Sequence, residues 1–183
     1  MTTLGVLADT HIPDRAAELD PQVLYHFRHA GVTAILHAGD VSVPEVLKQL
    51  EEIAPVYAVR GNRDIFALRQ LPMQVRLNFE GKSIGLAHGH GSFNRYIIDR
   101  LHRQFYGRLV ERYIRRMLLT FPNVDVIVFG HLHVPCNLHL EGKLLFNPGS
   151  TSYPWPRDQP ASYGLLYLQP GKQPQGEIVE IRK

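Results

Sequence analysis

Residues 4–11, Leu-Gly-Val-Leu-Ala-Asp-Thr-His, stay apolar or small for five positions and then deliver Asp9 and His11. Such a run reads as a strand buried on both faces, and open α/β sheets carry their sites at the carboxyl ends of such strands. Working outward, residues 20–30 read as a helix capped by Asp20 with Pro21 in its first turn, and residues 34–37 return as a strand that ends in Gly39-Asp40. A helix over 43–52 and a strand over 56–59 repeat the rhythm and end in Gly61-Asn62-Arg63-Asp64. The pattern predicts an α/β fold.

Beyond Pro72, residues 74–79 and 83–87 read as a hairpin that ends at His88-Gly89-His90. Ile97, Leu101, Phe105, Leu109, Tyr113 and Met117 recur every four residues, which predicts an amphipathic helix over 93–120, or two helices broken near Gly107. A strand over 124–129 then ends at Gly130-His131-Leu132-His133, and short strands follow at 137–140, 143–146, 163–168 and 176–181. No repeat, linker or composition break divides the chain, so the expectation is one domain over 1–183 with a helical insertion at about 92–122.

Composition narrows the function. The net charge is only +3, too small for a protein dominated by nucleic-acid backbone contacts, so a long nucleic acid is not the expected partner. The lone Cys136 excludes an intrachain disulfide, no basic-then-apolar leader opens the sequence, and a cytoplasmic location is expected. No apolar run has the length to span a membrane.

The groups delivered at strand ends are Asp9, His11, Asp40, Asn62, His88, His131 and His133: four imidazoles, two carboxylates and one amide. Mixed nitrogen and oxygen donors without cysteine suit divalent manganese, iron, nickel, zinc or cobalt. Seven side chains exceed one four-coordinate ion and suit two, with a shared carboxylate and open positions for water and substrate. The one-residue spacing within Asp9/His11 and within His131/His133 lets both members of each pair turn to one point where a strand opens into a loop.

In this order, D-x-H at Asp9 to His11, G-D at Gly39-Asp40, G-N-x-D at Gly61 to Asp64, H-G-H at His88 to His90 and G-H-x-H at Gly130 to His133 resemble the calcineurin-like metallophosphoesterase superfamily. The chain length, the H-G-H form and Asn147-Pro148-Gly149-Ser150 look most like its small bacterial and archaeal phosphodiesterases. That resemblance implies a four-layer α-β-β-α sandwich of two mixed central sheets flanked by helices. It implies two divalent ions, manganese first, one held by Asp9, His11, Asp40 and His133 and the other by Asp40, Asn62, His88 and His131, with Asp40 bridging. It also implies hydrolysis of a small or nucleotide-like phosphoester by a metal-bridging hydroxide, with Asn62, Arg63, Asp64 and His90 in the catalytic set. The alternative is a protein-binding scaffold on the same fold, as in the related retromer-subunit branch.

Arg63 stands where many members carry a histidine. An arginine stays charged and cannot protonate a leaving group, but its planar fork suits non-bridging phosphate oxygens, which leaves the proton to His90, to water or to no group. Among the remaining residues, His37 is close enough in sequence to support Asp40, and the 147–150 loop reads as a turn that also borders the metals. Trp155 reads as a packed loop anchor and Cys136 as a small buried residue. The 92–120 segment carries seven arginines and a local net charge of +5, read as a solvated face, as a means of steering an anionic substrate, or as part of a homo-oligomer contact.

Overall fold

A computed structural model describes residues 1–91 and 110–182. Two five-stranded sheets carry the fold. In the first, β1 (Thr2–Leu7), β2 (Ala34–His37) and β3 (Val56–Ala58) run parallel, while β9 (Ser162–Leu168) pairs antiparallel with β1 and β10 (Gln175–Glu180) antiparallel with β9. In the second, β5 (Lys82–Ala87), β6 (Val126–Phe129) and β8 (Lys143–Asn147) run parallel, flanked by antiparallel β4 (Gln74–Phe79) and β7 (Cys136–Leu140).

Strand alternation explains the layering. Leu4 and Val6 of β1, Ala34 and Leu36 of β2, Ile84 and Leu86 of β5, and Val126 and Val128 of β6 all point between the sheets and fuse into one buried cluster. The opposite faces take the helices. Leu7 and Ile35 pack against Val23, Leu24 and Phe27 of α1 (Pro21–His29) and Val46 and Leu50 of α2 (Pro44–Glu51). Ile127, Phe129 and Leu145 pack against Tyr113 and Met117 of α3 (Val110–Thr120) and against Phe121. The result is the expected α-β-β-α sandwich of mixed sheets.

Two glycines let the helical layers approach. A Cβ on Gly5 would lie 2.7 Å from the Phe27 ring, and one on Gly85 would lie 2.4 Å from the Phe121 ring. Each fully buried phenylalanine contributes about 1.5–3 kcal/mol through burial. Caps follow the sequence at α1, where the Asp20 side chain accepts from the Gln22 N–H with Pro21 at the first turn; α2 has Pro44 there but no side-chain cap.

Most of the expected 93–120 helix, its break near Gly107 and the 92–109 part of the insertion lie outside the described residues. The reading of the arginines as a solvated face needs correction at Arg116. Its Nη1 donates to the Gly89 carbonyl at 2.8 Å and its guanidinium sits 4.9 Å from the centre of the Tyr113 ring, so it is buried and braces the His88-Gly89-His90 turn.

Candidate metal centre

The parallel strands of both sheets end on one side, and there they pool the seven donors. Asp9 and His11 follow β1, Asp40 follows β2, Asn62 follows β3, His88 follows β5, and His131 and His133 follow β6. Asp9, His11, Asp40, His131 and His133 all adopt left-handed backbone conformations, with φ between 48° and 71°. That conformation is costly for residues with side chains and persists only where surrounding bonds enforce it. Here Asp9 N donates to the Gly39 carbonyl and His11 N to the Asp40 carbonyl, both at 3.0 Å. His131 N donates to Asp9 Oδ2 at 2.8 Å.

The donor atoms converge in two overlapping groups. On one side, His11 Nε2 lies 3.2 Å from His133 Nε2 and 3.7 Å from both Asp9 Oδ1 and Asp40 Oδ2, while His133 Nε2 lies 3.3 Å from Asp9 Oδ1. On the other, Asn62 Oδ1 lies 3.1 Å from His88 Nε2 and 2.9 Å from His131 Nδ1, and His88 Nε2 lies 3.5 Å from Asp40 Oδ2. Asp40 Oδ2 therefore stands between His11 and His88. Asp9 Oδ1 is also within 4.0 Å of His88 Nε2, so both carboxylates face both sides.

Divalent ions fit this set. Asp9 Oδ1 is buried and accepts no hydrogen bond, a costly arrangement for a carboxylate oxygen that a cation would resolve. Two of the rings are also held in the right tautomer. His88 Nδ1 donates to the Ala38 carbonyl at 2.7 Å and His133 Nδ1 to the Tyr153 carbonyl, which turns each Nε2 lone pair inward.

Charge in the cluster is strongly coupled. Burial disfavours ionised Asp9 and Asp40, but the facing histidines, His133 for Asp9 and His88 for Asp40, hold both carboxyls below the usual range. Burial would likewise depress His88, yet Asp40 and Asp9 push it up to about 9, so the two carboxylates favour positive charge at this position. Burial is opposed in the same way at His133, which is raised beside Asp9, and prevails at His11, which is lowered.

The structure places the remaining expected residues differently from the donors. Asp64 lies behind them: Oδ2 accepts from Asp40 N and Gly61 N, and Oδ1 from Ser42 N, each at 2.8 Å, so it ties together the turns that carry Asp40 and Asn62. Burial nevertheless raises its pKa. Arg63 donates its backbone N–H to Asp40 Oδ1 at 2.8 Å and extends its half-exposed guanidinium over the mouth of the site to Asp14, 3.5 Å away. The His90 ring centre is 5.2 Å from that of His88; burial and the His88 charge push its pKa down to about 4, and it does not line the mouth.

His37 supports the Asp40 turn, since Gly39 N donates to its Nδ1 at 3.2 Å while Nε2 faces Thr10 Oγ1 at 3.3 Å, and burial takes its pKa to about 3. The 147–150 loop braces two donor-bearing turns: Ser150 Oγ donates to the Asp9 carbonyl at 2.7 Å and Asn147 Nδ2 to the Gly130 carbonyl at 3.1 Å. Trp155 anchors through its backbone N–H on the His133 carbonyl, but its side chain is exposed, and Cys136 is half-buried. Two residues with no motif signal, Arg15 and Tyr153, complete the mouth, a space of about 150 Å³. Only the D-x-H spacing, four residues before Arg15, pointed toward that loop.

A four-layer sandwich with histidine and carboxylate donors pooled at its strand ends is the architecture of a metallophosphoesterase. The chain belongs to the calcineurin-like phosphoesterase superfamily, whose domain matches residues 2–171. It is 37% identical over 151 residues to a probable metallophosphoesterase of Methanothermobacter thermautotrophicus, covering 82% of this chain and 78% of that protein. It is 31% identical over 187 residues to the phosphodiesterase YfcE of Escherichia coli, covering 91% of this chain and 88% of that one. The fold is also that of Entamoeba histolytica Vps29 solved in complex with zinc, with a TM-score of 0.66 at 22% identity, covering 98% of this chain and 99% of that one.

Proposed function

We propose that the protein is a metal-dependent phosphodiesterase that hydrolyses small or nucleotide-like phosphoesters. The observation that carries this is the double donor set, Asp9, His11, Asp40 and His133 on one side and Asp40, Asn62, His88 and His131 on the other, with every expected position holding a competent ligand. Two divalent ions in those groups, manganese first and nickel, iron, cobalt or zinc as alternatives, would supply a water of lowered pKa and neutralise the phosphoryl oxygens.

The chain's own residues shape the rest of the reaction. Asp9 and Asp40, fixed by backbone N–H groups from His131 and Arg63, hold negative charge in a buried setting that favours bound cations. Arg63, at the mouth, presents N–H donors to non-bridging phosphate oxygens and orients the ester for in-line attack. In hydrolysis the oxygen of water bonds to phosphorus, the ester P–O bond breaks, and the departing oxygen leaves as an anion or takes a proton. Arg63 has none to give, so solvent supplies it and acidic leaving groups depart fastest.

No helix among the described residues is long and apolar enough to cross a membrane. The second reading, a protein-binding scaffold, rests on the likeness of fold to Vps29. The deciding experiment is a screen of chelated and manganese-reloaded protein against phosphomonoesters, phosphodiesters and cyclic nucleotides. Diester hydrolysis that depends on reloading is expected; retained metal binding with no hydrolysis above the metal-only background would transfer the protein to the scaffold reading.

A further inference from the structure

Beside the metal pocket lies a second cleft of about 710 Å³, a volume suited to a nucleoside-sized group. Arg15 lines both spaces and so marks their junction. Its guanidinium carbon stands 4.2 Å from the centre of the Tyr153 ring, and that of Arg157, on the cleft wall, stands 3.4 Å from the same centre. The two cations therefore lie no farther apart than those two distances together, and among the described residues neither has an ion-pair partner. Tyr153 is itself tied to the donors, because its carbonyl accepts from His133 Nδ1 and its N–H donates to Ser150 Oγ at 2.8 Å. Glu18, Asp20 and Asp158 also line the cleft, three carboxylates against two guanidinium groups, so a single anionic group set against the arginines can be accommodated and a polyanionic chain is disfavoured.

We propose that the substrate carries a second phosphate on a nucleoside-sized ester arm, and that Arg15 and Arg157, gathered on the Tyr153 ring, receive it as the arm leaves the metal pocket. Guanidinium donors bind phosphate by charge-assisted bonds, and contact with the ring orders each side chain beforehand. This rests on the phosphodiesterase reading above and adds the class of substrate.

The test compares thymidine 5′-(p-nitrophenyl phosphate) with the same compound bearing a 3′-phosphate, which share leaving group and chromophore. In parallel, calorimetry on manganese-loaded protein compares thymidine 3′,5′-bisphosphate with thymidine 5′-phosphate. The wild type should favour the additional phosphate by about tenfold in kcat/KM, through KM, and by about tenfold in Kd, a modest value for charge-assisted contacts. Arg15→Gln and Arg157→Gln should each erase most of that preference, and Arg15→Lys, which keeps the charge, should retain part of it. Both arginines are exposed, so the variants fold. Equal binding of the two ligands by wild type, or a preference that survives both glutamine variants, would overturn the proposal. If no diester is cleaved at all, the phosphodiesterase reading falls, and calorimetry still decides the subsite.

Discussion

Gly61→Ala adds one methyl group at the tightest contact around the donors. Its Cβ would lie 2.1 Å from Asp40 Oδ1 and 2.2 Å from Asp40 N, whereas non-bonded atoms rest at about 3.5–4.0 Å, so Asp40 and the turn carrying Asn62 must separate by more than about 1 Å. Gly61 is not in the left-handed region, so alanine brings no backbone penalty and the effect is steric. Overpacking of this kind costs about 1–3 kcal/mol, and at roughly 2–4 °C per kcal/mol for a chain of this size Tm should fall by about 2–12 °C. Metal–ligand distances tolerate only about 0.2 Å, and a 1 Å misplacement is worth about 10² in rate, so diester hydrolysis should fall about a hundredfold with weakened metal uptake. Gly81→Ala is the control: its φ is 71° and no atom stands within 4 Å, so it should lose stability by about 1–2 kcal/mol through backbone strain with metal binding intact. Differential scanning calorimetry, metal titration and hydrolysis of bis-p-nitrophenyl phosphate read the three effects. Gly61→Ala activity within threefold of wild type at full metal content would refute the placement of Asp40 at the centre of the site.

Arg63→His should narrow the gap in kcat/KM between bis-p-nitrophenyl phosphate and an alkyl diester by helping the poor leaving group, since general acid assistance is worth about 10² to 10⁴; a gap unchanged at saturating metal would mean that the proton reaches the leaving oxygen by another route. Asn62→Ala should abolish activity while the chain stays folded, because it removes a strand-end donor without emptying the core, and near-wild-type rates with added manganese would remove Asn62 from the donor set. After chelation, manganese, nickel or cobalt should restore hydrolysis and calcium should not, because calcium prefers a larger all-oxygen shell; equal rescue by calcium would contradict the imidazole-rich site.

That the strand-end residues converge was legible in the sequence because strand periodicity and strand-end position are one-dimensional signals. Residues 4–8 had to be a buried strand, and Asp9 had to emerge at its end. The same logic reached the four histidines and Asn62, and the two mixed sheets are those the resemblance implied, although their strand order was not legible. The left-handed backbone at Asp9, His11, Asp40, His131 and His133 was not legible, since each needs long-range bonds to hold it. Nor was the division of labour within Gly61 to Asp64, where Asn62 faces the donors, Arg63 the mouth and Asp64 three backbone N–H groups behind them. Arg15, Arg157 and Tyr153 meet only because the 151–160 loop folds back over the β1 loop, a contact that no local pattern encodes. Arg116 reads as surface in a run of arginines, yet the Gly89 carbonyl draws it inward.

The most direct test of a two-ion phosphodiesterase is to titrate manganese into chelated protein while following bis-p-nitrophenyl phosphate hydrolysis and metal content together. Two ions per chain are expected, with activity appearing as the second is taken up, because the Asp9/His11/His133 side and the Asn62/His88/His131 side must both be filled around Asp40. Full activity with one ion per chain, or hydrolysis that survives complete chelation, would contradict it.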